Sequence, residues 1–543
     1  MVERRIGLLF AAFLVLLALA LLRTCYLMTF KGGQLKQLAN TQQVEDVKLL
    51  ARRGTIMDRN GAPLAVSEDA ATVFATPYLV KKPVRTAAQL APLVGEPADK
   101  LLESLSDRTS GFVYLARKIP GTDGTRIRKL KLPGIGVLDD TRRVYPQKTL
   151  AAQVLGAVGV DNKGLMGLEQ DMEGDLHGSD GEQRITRDAR GDTVSVDQKA
   201  NDRSGKDVRL TIDAAIQQRA EDVLAGVGEV YSPKGATAIV MNPNNGDIYA
   251  MANWPRVDAN AVGEAPAWAR VNRAVGFTYE PGSTFKSITV SAALESGAVR
   301  PRTVFEVGPQ IKVADRTITE SHGTGGMFSV SDILARSSNV GAVKIGLRLG
   351  ARRFDSWVDR FGFGEPTDLP LPGESQGIVP RYKDYSGSSI GNMPIGQGLA
   401  VTPMQMMRAY AAIANGGKLI QPRLVLDGSS SDEGEEVISR STSAQVRTML
   451  QGVLGPDGTG TEATVPGYDI GGKTGTAEKP ENGVYSKTRF VASFIGFAPA
   501  ANPKLLVAVI VDEPQFEHAG GVVAAPAFEK IASFALPRLG IAP

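Results

Sequence analysis

Residues Ile6 to Leu22 form an uninterrupted run of apolar residues and glycine, flanked by Arg4-Arg5 on one side and Arg23 on the other. A run of this kind is stable only where water is excluded, and seventeen residues is the short end of a helix that spans a bilayer. Arg23 can snorkel, and Tyr26, Leu27, Met28 and Phe30 extend the apolar character into the interface. A cleaved signal peptide competes, because Ala18-Leu19-Ala20 is a small-x-small pattern. However, the run continues through Leu21-Leu22 and no polar start to a mature domain follows, which favours an uncleaved anchor over residues 6–24. A lipoprotein reading of Cys25 is weaker, since Arg23 sits where small residues belong. Arg4 and Arg5 should hold the short tail (residues 1–5) in the cytoplasm, leaving everything after Thr24 outside.

The chain is 543 residues long, more than one core usually supports, so two or three domains are expected. A net charge of +3 over this length carries no nucleic-acid signature, and no nucleic-acid partner is expected. One cysteine excludes an intramolecular disulfide framework and a Cys-based structural zinc site. The three histidines, His177, His322 and His518, are scattered without metal spacing, so no metal or cofactor is expected. Their scarcity also leaves few candidates for the base of a Ser-His-Asp mechanism. A lysine base fits better.

Residues 25–50 read as a polar stalk and 51–205 as a mixed, non-catalytic region with short β-like pieces. Within it, Arg53–Gly61 and Gly164–Glu169 show no obvious chemistry, and turns and domain packing account for them best. Residues 206–543 read as a second domain. Val208 to Ile212 is a short strand and Ala214 to Leu224 a helix. Ala236–Met241 and Ile248–Ala252 form a hairpin about Asn245-Gly246. Helices are expected over Ser329–Leu349, Pro403–Asn415 and Ala525–Ala535, and strands over Arg489–Phe497 and Leu505–Val511. Gly428 to Glu436 reads as a mobile surface loop. Strands at both ends with helices between them imply an α+β layer fold.

Three short motifs lie in this second domain: Ser283-Thr284-Phe285-Lys286, Ser337-Ser338-Asn339 and Lys473-Thr474-Gly475-Thr476. Each alone is common. Pro281-Gly282 breaks the chain before the first, and Thr284 to Glu295 reads as a helix with Gly297 as its C-cap signal. Ser283 and Lys286 are three apart and so share a face of the first turn. The unpaired N–H groups and the positive dipole end there favour an oxyanion. Together the motifs supply a serine nucleophile, a lysine to deprotonate it, a polar relay and a substrate-binding strand, a set that points to acyl transfer through a serine ester.

Residues 467–474 also satisfy the P-loop pattern G-x-x-x-x-G-K-[ST]. A P-loop must follow a hydrophobic strand and open a helix. Here the preceding stretch contains Pro466, and Gly475, Pro480, Asn482 and Gly483 follow, which cannot start a stable helix. The ATPase reading fails. The same residues suit a strand beside the nucleophile: Gly471 and Gly472 allow close approach, Lys473 offers charge to a carboxylate, and Thr474 and Thr476 offer hydroxyls.

With these motifs in this order, the chain resembles the penicillin-binding proteins, specifically the monofunctional class B transpeptidases of peptidoglycan synthesis. The resemblance covers essentially the whole chain. It includes the single anchor, the R-G-x-I-x-D-R-x-G box at Arg53–Gly61, Gly164–Glu169, Tyr279-Glu280-Pro281-Gly282, Gly396-Gln397-Gly398 and residues 520–526. It implies a penicillin-binding transpeptidase fold, an antiparallel sheet flanked by helices, at 206–543, standing on an elongated, dimerisation-like pedestal at 51–205.

It also implies roles. Ser283 attacks the carbonyl of the penultimate D-alanine of a stem peptide. Lys286, its pKa lowered by burial and neighbouring cations, accepts the proton. Ser337 relays that proton to the leaving group, and Asn339 orients Lys286 and the substrate. Lys473, Thr474, Gly475 and Thr476 bind the substrate carboxylate and, through the Ser283 and Thr476 amides, the oxyanion. β-Lactams acylate the same serine. The implied partners are peptidoglycan stem peptides and the products of lipid-linked precursors, a multi-span glycan polymerase (a SEDS-type glycosyltransferase) and other division-complex membrane proteins. The Arg53 box followed by Leu64-Ala65-Val66-Ser67, without long insertions, looks most like the septal cell-division type. A lateral-wall enzyme and a D,D-carboxypeptidase using water as acceptor are the alternatives. A β-lactamase would need a base for water, and no Glu-x-x-x-Asn loop is evident; a β-lactam sensor would need a cytoplasmic signalling region, and only about five residues precede the span.

Overall fold

The computed structural model describes residues 2–29, 44–187, 193–320, 325–426 and 433–543. Helix α1, Val2–Thr29, is long and apolar enough to cross a membrane, and its apolar side chains are exposed along its length. It extends five residues beyond the expected span, because Cys25–Met28 keep the helical, apolar character. Residues 30–43 of the expected stalk lie outside the described residues. Its last part is a strand, not polar linker: Val44–Leu49 pairs antiparallel with Gly181–Arg187, which in turn pairs with Thr193–Ala200.

The chain divides into two compact units whose segments alternate along the sequence. The smaller holds residues 1–52, 69–141 and 177–205. Besides the sheet just described, residues 70–75 pair with Val113–Pro120, and three helices, Pro83–Val94, Ala98–Ser106 and Gly121–Leu130, close over that pair. Leu90, Leu101, Leu105, Leu115 and Ile127 form its core.

The larger unit holds 53–68, 142–176 and 206–543. Residues 53–68 and 142–176 therefore belong with it, and the two segments without evident chemistry meet there. The guanidinium of Arg53, fully buried, bonds the Glu169 carboxylate at 2.5 Å and Glu173 at 2.6 Å. Arg143 takes the other Glu169 oxygen at 2.6 Å. Asp58 caps its own turn by accepting from the N–H groups of Asn60 and Ala62, both at 2.8 Å. These are packing roles, as the sequence reading favoured.

Five strands form the central antiparallel sheet: β1 (Gly235–Met241), β2 (Ile248–Trp254), β3 (Gly471–Glu481), β4 (Val484–Ala498) and β5 (Leu505–Asp512). Their order is β2-β1-β5-β4-β3, so β3 is an edge. Helices cover both faces, which is why the inner strands read as continuous apolar runs instead of alternating ones. Ala238, Val240, Val507 and Val509 face helices α2 (Ala214–Tyr231) and, at the chain's end, Ala525–Arg538. Ile239, Met241, Leu506 and Ile510 face the larger cluster, which includes helix α3 (Lys286–Glu295).

Several expected elements moved. The strand at Val208 is only two residues, and α2 runs seven residues past Leu224. The helix expected over Ser329–Leu349 is broken into α4 (Val330–Ala335) and α5 (Asn339–Leu349). The break falls on Ser337, which adopts φ +60°. Helical propensity does not forbid a continuous helix here. Tertiary packing overrides it, and the capping box of Ser329 and Asp332 starts a helix that ends after six residues. Helix α6, Pro403–Ala414, starts where the sequence places it, and Thr402 and Gln405 form its capping box. Of the loop at Gly428–Glu436, residues 428–432 lie outside the described residues, while Glu435–Glu436 pairs with Lys418–Leu419 as a short strand.

Candidate active site

Ser283 sits in a single 3₁₀ turn, Gly282–Phe285, that runs directly into α3. Gly282 takes φ +52°, which a side chain would strain, and its N–H donates to the Gly396 carbonyl at 3.0 Å. A Cβ on Gly396 would come within 2.2 Å of the Gly282 carbonyl oxygen, so position 396 can support the turn only as glycine. Thr284 and Tyr410 brace it further: the Thr284 hydroxyl donates to Pro281 O, and the Tyr410 hydroxyl donates to Thr284 O, both at 2.7 Å. Helix α3 is buried all round, unlike a surface helix. Its polar residues are accordingly paired, Thr289 with the Pro394 carbonyl and Ser287 with Tyr410, both at 2.9 Å.

Lys286 is fully buried. Its ammonium donates to the backbone carbonyl and hydroxyl of Ser337, at 2.5 and 3.3 Å, and to Asn339 Oδ1 at 2.7 Å. The break between α4 and α5 makes this possible. With φ at +60°, the Ser337 carbonyl leaves the helical hydrogen-bond ladder and turns to the lysine. Burial pushes the Lys286 amine down to about 7, against the opposite pull of the Glu320 carboxylate. Of the two causes the resemblance implies, burial and neighbouring cations, burial is the one that acts; the charge felt at Lys286 is the opposing Glu320 carboxylate, and the acceptors from Ser337 and Asn339 are neutral.

Strand β3 lies against the turn bearing Ser283. A Cβ on Gly475 would meet Ser493 Oγ at 2.4 Å, Thr284 Cγ2 at 3.0 Å and the Pro281 carbonyl at 3.1 Å. A side chain there would have to push these groups aside. Lys473 is fully buried, and its ammonium bonds the Thr474 carbonyl at 3.2 Å. Burial first, then the charge of Lys286, holds it well below an ordinary lysine. The Thr474 and Thr459 hydroxyls are 2.5 Å apart, and Thr476 Oγ1 accepts from the Gly520 N–H at 3.0 Å. Thr474, Thr476, Thr459, Ser338, Glu320 and Gly520 line a cleft of about 680 Å³. The structure thus brings all three motifs to one place, and it makes residues 471–481 a strand, incompatible with a P-loop.

Two domain families account for most of the chain. Residues 236–533 match the penicillin binding protein transpeptidase domain, and residues 48–210 the penicillin-binding protein dimerisation domain. The chain belongs to the class B penicillin-binding proteins. It is 35% identical to the probable peptidoglycan D,D-transpeptidase PenA of Neisseria gonorrhoeae, over 99% of this chain and 93% of that one. It is 35% identical to stage V sporulation protein D of Bacillus subtilis, over 96% and 83%. Among solved structures it resembles penicillin binding protein 2X of Streptococcus thermophilus, with a TM-score of 0.77 and 25% identity over 92% of this chain and 81% of that one. It also resembles penicillin binding protein 3 of Mycobacterium tuberculosis in complex with aztreonam, with a TM-score of 0.70 and 28% identity over 91% and 98%.

In this penicillin-binding protein, sequence reasoning overlooked Glu320, Thr459 and Tyr410. Glu320 follows the strand Arg316–Thr319 and lies 18 residues before Ser338, whose hydroxyl donates to it at 2.6 Å. No motif spacing marks it. Thr459 sits in a Gly-Thr-Gly string that reads as an ordinary turn. Tyr410 occupies an apolar helix face, where a core role was the natural reading.

Proposed function

We propose that this protein is a membrane-anchored peptidoglycan D,D-transpeptidase in which Ser283 is the nucleophile and Lys286 its base. The observation that carries the reading is the state of Lys286: fully buried, one helical turn from Ser283, hydrogen-bonded only to neutral acceptors, with its pKa near 7. A lysine at its ordinary value would be protonated and useless as a base at neutral pH. Here a large fraction is neutral.

The Ser283 oxygen attacks the carbonyl carbon of the penultimate D-alanine as its proton passes to Lys286. The tetrahedral oxyanion is held by the amides of Ser283 and Thr476. Collapse breaks the C–N bond to the terminal D-alanine, and the proton returns through Ser337 to that leaving amine. Thr474 and Thr476, beside the Lys473 charge, bind the terminal carboxylate. Because β3 is an edge strand, the peptide can pair with it as an added strand. An amine from a neighbouring stem peptide then attacks the ester, forming the cross-link and freeing Ser283. β-Lactams acylate the same oxygen, a reading supported by the relative solved with aztreonam.

Ser283→Ala should abolish covalent labelling by a fluorescent penicillin while the protein keeps its thermal transition. Labelling that persists on the same peptide would overturn the assignment. Within this class we propose the septal role, with α1 as anchor, the amino end in the cytoplasm, the catalytic unit outside, and a multi-span glycan polymerase as partner. The Arg53–Gly61 box followed by Leu64-Ala65-Val66-Ser67 supports it. A fluorescent fusion should concentrate at the division site; a uniform sidewall signal would favour elongation.

A further inference from the structure

The second motif is held from behind by a carboxylate that belongs to none of the three. Glu320 Oε1 accepts from the Asn339 N–H at 2.9 Å, and Oε2 from the Ser338 hydroxyl at 2.6 Å and the Val340 N–H at 3.3 Å. The preceding residue, Thr319, accepts from Asn339 Nδ2 at 3.1 Å through its carbonyl. An amide side chain has one oxygen and one nitrogen, so fixing Nδ2 on Thr319 leaves only Oδ1 to face Lys286, where it accepts at 2.7 Å. The same carboxylate satisfies N–H groups at the start of α5, where a negative charge is favoured by the helix dipole.

We propose that Glu320 is a positioning residue for acylation: with the Thr319 carbonyl it grips Asn339 at both ends and thereby aims Asn339 Oδ1, and the Ser337–Ser338 turn, at Lys286. The proposal rests on Lys286 being the base. It adds an electrostatic consequence. Among the described residues two charged groups act with Lys286: Glu320, which favours the ammonium, and Lys473 on β3, which is itself depressed by burial and then by the Lys286 charge. Removing the Glu320 charge therefore shifts Lys286 further towards the neutral amine.

The test is the pH profile of acylation of the full-length, detergent-solubilised protein by a fluorescent penicillin, with the thermal transition recorded alongside. Glu320→Ala should slow acylation by about tenfold or more, the cost of hydrogen bonds to a charged partner left unmade. Glu320→Gln keeps an acceptor for the Asn339 N–H but not the charge. It should lose less rate, and its acidic limb should move to lower pH than that of the parent. A Glu320→Ala protein that melts earlier yet acylates at the parental rate per folded molecule overturns the positioning role. A parent protein with no limb near pH 7 overturns the Lys286 assignment and this proposal with it. A parental limb that Glu320→Gln leaves in place overturns the Glu320 role alone.

Discussion

Arg53 and Lys286 are both fully buried cations in the larger unit, and the molecule treats them in opposite ways. Arg53 is neutralised by Glu169 and Glu173 and also donates to the carbonyls of Glu169 and Asn162. Lys286 is bonded only to neutral oxygens of Ser337 and Asn339. Guanidinium cannot give up its proton in a protein, so a buried arginine must be fully paired or the fold pays several kcal/mol. An ammonium can give up its proton, so withholding an adjacent carboxylate turns the burial penalty into a lowered pKa. The first arrangement makes a joint, and the second makes a base.

Breaking Lys286 should have the largest effect. Lys286→Met is expected to slow acylation by roughly 10² to 10⁴-fold, the usual contribution of a positioned base, as read by stopped-flow or gel labelling with a fluorescent penicillin. In the parent the rate should rise with pH through about 7 as Lys286 loses its proton. Stability follows the same proton. Between about 7 and the ordinary lysine value of 10.5 the unfolded chain binds a proton that the folded chain does not, so stability should increase with pH in that window. Lys286→Met should show a shallower increase in Tm from pH 7 to pH 9 than the parent.

Breaking Arg53 should move stability instead of chemistry. Arg53→Met leaves Glu169 and Glu173 under-compensated and should cost about 3–5 kcal/mol in chemical denaturation, while the folded fraction still acylates at the parental rate. Arg53→Lys should fail to restore it fully, since one ammonium cannot reproduce the planar fork. Equal loss of acylation and stability in Arg53→Met would erase the distinction between the two clusters.

Gly475→Ala probes the space between β3 and the Ser283 turn. Its Cβ would press on the Pro281 carbonyl and Ser493, so a cost of about 1–3 kcal/mol and slower acylation are expected, with less effect on stability than Arg53→Met. The smallest change should come from Thr402→Ala, which removes one side of the α6 capping box, about 1 kcal/mol in Tm-derived stability. It touches neither cluster and should leave the pH profile alone, calibrating the other three.

Much of this was legible in the residues. Pro281-Gly282 announced the start of the nucleophile helix and Asn245-Gly246 the hairpin. These are local signals, carried by backbone restriction and capping. The break at Ser337 was not legible, because nothing in Arg336-Ser337-Ser338 forbids a helix and only the surrounding packing holds φ at +60°. Glu320 escaped for a related reason. A single acidic residue after a short strand carries no pattern, and its importance lies in three donors that arrive from another helix.

The sequence by itself determined the long apolar amino-terminal helix, the order and type of the three motifs, and the one-turn separation of Ser283 from Lys286. Those follow from composition and from helical periodicity, which need no distant contact. Tertiary structure alone decided that Lys286 meets Ser337, 51 residues away, that β3 closes against the nucleophile turn, and that the lysine's surroundings are neutral enough to bring its pKa near 7. Desolvation belongs to no residue type: it arises only when remote segments together exclude water from one amine.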